Sequence, residues 1–82
     1  MARVTLTYEL AQQFTAGEEK HEIEADDFRS LVKALDAKFP GLGSELKVGL
    51  AVAIDGEIFQ EPFLEPIQPG SEVFFLPAIE GG

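Results

Sequence analysis

Apolar and polar positions alternate over residues 3–8, Arg-Val-Thr-Leu-Thr-Tyr, and put Val4, Leu6 and Tyr8 on one side. A period of two with β-branched residues predicts a half-buried strand. From Ala11 to Glu19 the alternation is lost, and Thr15-Ala16-Gly17 predicts a loop. Lys20 to Glu24 predicts a short second strand with Ile23 inward. The period then changes: Phe28, Leu31, Val32, Leu35 and Phe39 follow i, i+3, i+4, i+7, i+11, the stripe of one helix face. Asp27 is the expected cap, because its carboxylate accepts the unpaired N–H groups of the first turn. Phe39-Pro40-Gly41 ends that helix.

Beyond a loop through Leu42-Gly43-Ser44, residues 48–54 form an apolar strand, and Asp55-Gly56 supplies the positive φ of a two-residue hairpin turn. Ile58 and Phe59 begin the returning strand. Pro62 and Pro66 make the stretch from Gln60 to Ile67 a loop. Pro69-Gly70 marks a further turn, and Glu72 to Leu76 is the last strand. The predicted order is strand, strand, helix, strand, strand, strand, without repeats. One main helix packed across a mixed sheet buries both the helix stripe and one sheet face, an α+β roll.

A chain of 82 residues fits one domain, and its 45% hydrophobic content, with seven Phe, is enough for one compact core. There is no Cys, which removes thiolate catalysis and thiolate metal sites, and the single His21 is too little for an imidazole metal centre. No long apolar run follows the N-terminus, so neither a secretory signal nor a membrane span is expected, and the expected location is the cytoplasm. Fifteen acidic against six basic residues give a formal charge of −9, which repels phosphate backbones and argues against nucleic-acid binding. The same charge keeps a small protein soluble and steers it toward basic partners.

Phe74 and Phe75 are adjacent on a strand and must point to opposite faces. With Val73 and Phe75 in the core, Phe74 and Leu76 lie outside, and Ile58 joins them across the sheet. An apolar patch on an acidic surface is the pattern of a docking face. Pro77 stops the ladder, and Ala78, Ile79, Glu80, Gly81 and Gly82 follow. Two glycines without side chains can thread a narrow channel where a Cβ would clash, although Gly-Gly ends also occur as plain frayed termini.

Several other residues have plainer roles. His21 shares the side of Ile23 and is expected to be structural. Asp26-Asp27 is better explained by capping than as a carboxylate pair. Glu18, Glu19, Glu22 and Glu24 offer too few converging oxygens for a hard cation. Gly41-Leu42-Gly43 lacks the Lys and Ser/Thr of a phosphate loop.

The run Val52-Ala-Ile-Asp-Gly-Glu, and then Ile67-Gln-Pro-Gly-Ser-Glu-Val-Phe-Phe-Leu-Pro-Ala-Ile-Glu-Gly-Gly, resembles the small subunit of molybdopterin synthase. That family belongs to the wider ubiquitin-like sulfur carriers, which include the thiamine sulfur carrier. The resemblance spans the chain, and the tail from Leu76 to Gly82 is its specific part. It implies a ubiquitin-like β-grasp domain over residues 1–76 and a flexible C-terminal Gly-Gly tail over residues 77–82. It also implies activation of the Gly82 carboxylate by an E1-like adenylating enzyme, with ATP and Mg used by that partner and no cofactor bound by this chain. Sulfur then replaces AMP to leave a thiocarboxylate, a nucleophilic sulfur donor. In the molybdopterin case the tail enters the large subunit of molybdopterin synthase, and the small subunit alone is inactive. Gly82 carries the sulfur and Gly81 gives clearance. Ile58, Phe74, Leu76, Pro77, Ala78, Ile79 and Glu80 are the expected partner contacts, with no membrane or nucleic acid involved.

The chain departs from the family in having Asp55 where Asn is commoner, Pro69-Gly70-Ser71-Glu72 before the last strand where Asp-Gly-Asp-Glu is commoner, a longer segment from Phe59 to Pro66, and Ala78 in place of a second tail proline. The alternatives to molybdopterin synthesis are a carrier for thiamine, cysteine, tRNA thiolation or another thio-metabolite, a ubiquitin-like protein modifier, and a plain binding module.

Overall fold

A computed structural model describes residues 1–46, 50–60, 62 and 64–77. The elements are β1 (Ala2–Thr5), α1 (Tyr8–Phe14), β2 (Lys20–Ile23), α2 (Phe28–Lys38), α3 (Leu42–Leu46), β3 (Leu50–Ile54), β4 (Glu57–Phe59) and β5 (Glu72–Pro77). The five strands form one mixed sheet in the order β2-β1-β5-β3-β4, with β1 and β5 parallel and the other neighbours antiparallel. This is the expected α+β architecture, a ubiquitin-like β-grasp with its main helix across the sheet.

The stripe of α2 is the centre of the core. Phe28, Leu31, Val32 and Leu35 are buried in one cluster with Val4, Val52, Val73 and Phe75 from the sheet and with Leu6 just beyond β1. The rings of Phe28 and Phe75 lie 5.8 Å apart. Asp27 caps α2 as its sequence position predicts: the Ser30 N–H donates to Asp27 Oδ1 at 2.7 Å. That bond to the ionised form, helped by the nearby Arg29 and Lys33, holds the Asp27 carboxyl below its usual value. The loop before β5 is tied to the same helix entrance. The Phe28 N–H donates to the Glu65 carbonyl, the Ile67 N–H donates to the Asp26 carbonyl, and Ile67 is buried.

Three expectations are corrected. Residues 8–14, read as the end of a strand and the start of a loop, form α1. Thr7 caps it, its Oγ1 accepting the Leu10 N–H at 3.2 Å, and Leu10 and Ala11 face the core. Tyr8 consequently points outward and is exposed, while Val4 and Leu6 are buried as predicted. The Thr15-Ala16-Gly17 signal marks only the end of this helix, where Ala16 and Gly17 take φ of 56° and 93°. Residues 42–46, read as loop, form the short helix α3. Asp36 at the end of α2 makes it possible, because its Oδ1 accepts the N–H groups of Gly41 and Gly43 at 3.2 and 3.0 Å. Finally, β5 extends one residue past Leu76, with Pro77 opposite Leu50. Proline lacks only the donor, so it fits at a strand end.

Candidate functional site

Register in the sheet decides what the outer face presents. Thr5 lies opposite both Lys20 and Phe74, Phe74 opposite Ala53, and Ala53 opposite Ile58. One residue from each strand therefore lines up as Lys20-Thr5-Phe74-Ala53-Ile58, a row spanning about 19 Å at the usual strand spacing. Leu76 and Ala51 form the neighbouring pair on the tail side of this row. Strand alternation places all of them on the face opposite α2.

Ile58 is 65% exposed and Phe74 is 39% exposed, while Leu76 is partly buried. The structure thus brings together the three apolar residues that the sequence singled out on the folded domain. Ala53, absent from that set, is the residue that joins Ile58 to Phe74. Its alternation with the buried Val52 and Ile54 was the available signal. Pro77 ends β5, whereas Ala78, Ile79, Glu80, Gly81 and Gly82 lie outside the described residues.

On the other side of Phe74 the row on the far side from the tail is charged: Glu22, Arg3 and Glu72 lie opposite one another across β2, β1 and β5. Asp55 continues it, since its N–H donates to the Glu72 carbonyl at 2.9 Å. The Asp55 carboxylate accepts the Ser71 hydroxyl at 2.8 Å and the Glu72 N–H at 2.9 Å. The Glu72 N–H, with the Ser71 hydroxyl second, holds this carboxyl below the usual aspartate value of 3.8. A shallow groove lined by Arg3, Thr5, Lys20, Glu22 and Glu72 adjoins Phe74.

The residues expected to be structural are so placed. His21 is buried beside Ile23, its Nε2 donates to the Glu18 carbonyl at 2.7 Å, and its ring meets the edge of Phe39 with centroids 5.2 Å apart. The Gly41 and Gly43 N–H groups both donate to Asp36 Oδ1. Among the described residues no group of three or more His, Asp or Glu side chains converges as a metal site, and no helix is long and apolar enough to cross a membrane.

The sequence matches the ThiS family over residues 4–82. The chain belongs to the ThiS family. It is thus a member of the ubiquitin-like sulfur carriers. The ThiS-family match runs from β1 through Gly81 and Gly82 and so takes in the outer-face strands together with the tail. In fold the chain is similar to CysO of Amycolatopsis orientalis, solved as a BexX/CysO complex, with 19% identity, a TM-score of 0.85 and 100% of both chains covered. It is also similar to CysO of Mycobacterium tuberculosis, with 19% identity, a TM-score of 0.86, and 96% of this chain and 100% of that one covered. A third fold neighbour is the small archaeal modifier protein 1 of Methanosarcina acetivorans, with 19% identity, a TM-score of 0.78, and 99% of this chain and 95% of that one covered. No curated protein matches the sequence.

Proposed function

We propose that this chain carries sulfur on Gly82. A partner enzyme of the E1-like adenylating type joins the Gly82 carboxylate to AMP at the expense of ATP, releasing pyrophosphate. A sulfur donor then displaces AMP and leaves a thiocarboxylate. The chemical need is for a leaving group, because a carboxylate is a poor electrophile until one oxygen is part of one. The face bearing Ile58, Phe74 and Leu76 docks the partner, and residues 77–82 reach its active site with Gly81 giving clearance. The observation that carries this proposal is the ThiS-family match, which runs through both terminal glycines.

The acceptor read first from the tail, the pyranopterin precursor of molybdopterin, is supported by the sequence resemblance alone. The ThiS-family match and the fold likeness to CysO favour the wider alternative, a carrier for thiamine, cysteine, a thiolated tRNA base or another thio-metabolite. The complex of CysO with BexX supports a docked partner enzyme. The likeness to a small archaeal modifier protein favours a second role, attachment of Gly82 to lysines of other proteins.

Intact mass of the protein purified gently from its own source tests the proposal. The expected species is about 16 Da heavier than the encoded chain, for one oxygen exchanged for sulfur, and is lost when Gly82 is deleted. An unmodified mass in the presence of the activating enzyme and a sulfur donor overturns it. Heavier conjugates that vanish on deletion of Gly82 select the modifier role.

A further inference from the structure

Charge is segregated along this chain. All six basic residues lie at or before Lys47, and the remaining residues include six acidic ones and no basic one. The sheet order turns this division into a spatial one. The neighbours β5, β3 and β4 carry Phe74, Ala53 and Ile58 and contain no cation, whereas the outer-face cations Arg3 and Lys20 sit on β1 and β2.

Within the cation-free half the anions are grouped at one end. Glu72 precedes Phe74 by two residues on the same face, with Arg3 of β1 opposite it on one side, and Asp55, in the β3–β4 turn, adjoins it on the other. Both are exposed. The Asp55 charge is fixed in place by the Ser71 hydroxyl and the Glu72 N–H. At the opposite end, toward the tail, the same face offers Leu76 and Ala51.

We infer that charge orients docking on this face: the adenylating partner presents an apolar groove for Phe74 and Ile58 whose hairpin-side rim is built of Lys or Arg, meeting Glu72 and Asp55. The inference rests on the carrier chemistry proposed above. Covering the apolar patch removes water beside the rim, which strengthens opposite-charge contacts there. A face with an anionic end and an apolar end also fixes which way the tail points. Rotating the domain by half a turn would set Glu72 and Asp55 against the partner's apolar entry to the active site.

The test is ATP–pyrophosphate exchange by the cognate adenylating enzyme, with KM measured for the carrier at low and high NaCl. Glu72→Lys is compared with Glu45→Lys on α3, which makes the same change in net charge on the opposite side of the domain. Thermal melting checks that both variants fold. Glu72→Lys is expected to raise KM about tenfold with kcat unchanged, and the effect should shrink to about twofold at high salt, where screening is complete within a few ångströms. Glu45→Lys should leave KM within about twofold, as expected for a charge outside the interface.

Equal shifts for both variants mean that only total charge matters, and unchanged KM in Glu72→Lys means that the rim is not contacted. Either result overturns the charge-oriented interface and leaves the carrier chemistry standing. Absence of exchange with the unaltered chain overturns both.

Discussion

The Asp55 carboxylate in the β3–β4 turn holds Ser71 at the entrance to β5, its Oδ2 accepting the Ser71 hydroxyl at 2.8 Å. The second oxygen accepts the Glu72 N–H, and Ser71 Oγ in turn accepts the Gln68 N–H. Two positions where this chain departs from the molybdopterin subunit pattern, Asp55 and Ser71, are therefore in direct contact. Asp55 also takes φ of 50°, next to Gly56 at 86°, the two positive values of a tight hairpin turn.

This contact predicts a particular acid sensitivity. The folded Asp55 carboxyl titrates below its ordinary value of 3.8, so between those two values the unfolded chain binds the extra proton. Its contribution is complete above 3.8 and is lost as pH falls through the lower, folded value. Asp27 acts with the same sign through Ser30. Asp55→Asn keeps an acceptor and tolerates the positive φ, so it should fold. Its Tm should fall less steeply than that of the unaltered chain as pH drops below 3.8. Parallel Tm profiles for the two proteins would refute the role given to this carboxylate.

A second prediction concerns the contact between α2 and α3. A Cβ on Gly43 would lie 2.9 Å from the Asp36 Cβ, whose position is set by the helix backbone, so it has little room to retreat. Gly43→Ala should destabilise the domain by about 1–3 kcal/mol, the usual range for overpacking. Urea denaturation should show a lower midpoint with an unchanged slope. Gly56→Ala provides a contrast: apart from its chain neighbours nothing lies within 4 Å of the added Cβ, so its cost comes from the positive φ of 86°.

How far the fold was legible depended on how long each pattern ran. The α2 stripe extends over three turns, and the hairpin carries its own Asp-Gly signal, so both were readable. Tyr8 continued the alternation of Val4 and Leu6 by coincidence and concealed a seven-residue helix capped by Thr7, whose apolar stripe is only Leu10, Ala11 and Phe14. Helix α3 is shorter still, and its N–H acceptor comes from Asp36, outside the segment itself. Phe74 and Leu76 followed from strict strand parity. The pairing of Asp55 with Ser71 did not, because it joins residues that only the strand order brings together.

Phe74 supplies the third prediction. Its ring is partly exposed on the outer face and is remote from the Phe28–Phe75 contact in the core. Phe74→Ala should weaken binding of the adenylating enzyme about thirtyfold, as for a central aromatic anchor worth about 2 kcal/mol. The loss of cross-strand packing against Ala53 should cost only about 0.5–1 kcal/mol of stability. Titration calorimetry and melting curves on one preparation separate these quantities. A large fall in Tm with unchanged affinity would make Phe74 a structural residue and remove it from the docking face.

Gly81 tests the tail independently of the folded domain. The proposed chemistry requires the last residues to pass through a channel in the partner that admits backbone alone, so a side chain at Gly81 should obstruct the reacting carboxylate without affecting the sheet. Gly81→Ala adds one methyl group, and Gly81→Val adds a branched side chain that also restricts the backbone. Adenylation should slow progressively, by about tenfold for Ala and by about a hundredfold or more for Val, the scale expected when a reacting group is displaced by about an ångström. Affinity of the docked complex should be nearly constant, because Ile58, Phe74 and Leu76 are untouched. Rapid-quench measurement of the acyl adenylate, combined with a separate binding titration, distinguishes this from weakened docking. Equal rates for the three proteins would mean that the tail does not enter a narrow channel, and reaction at Gly82 would then require an open site on the partner.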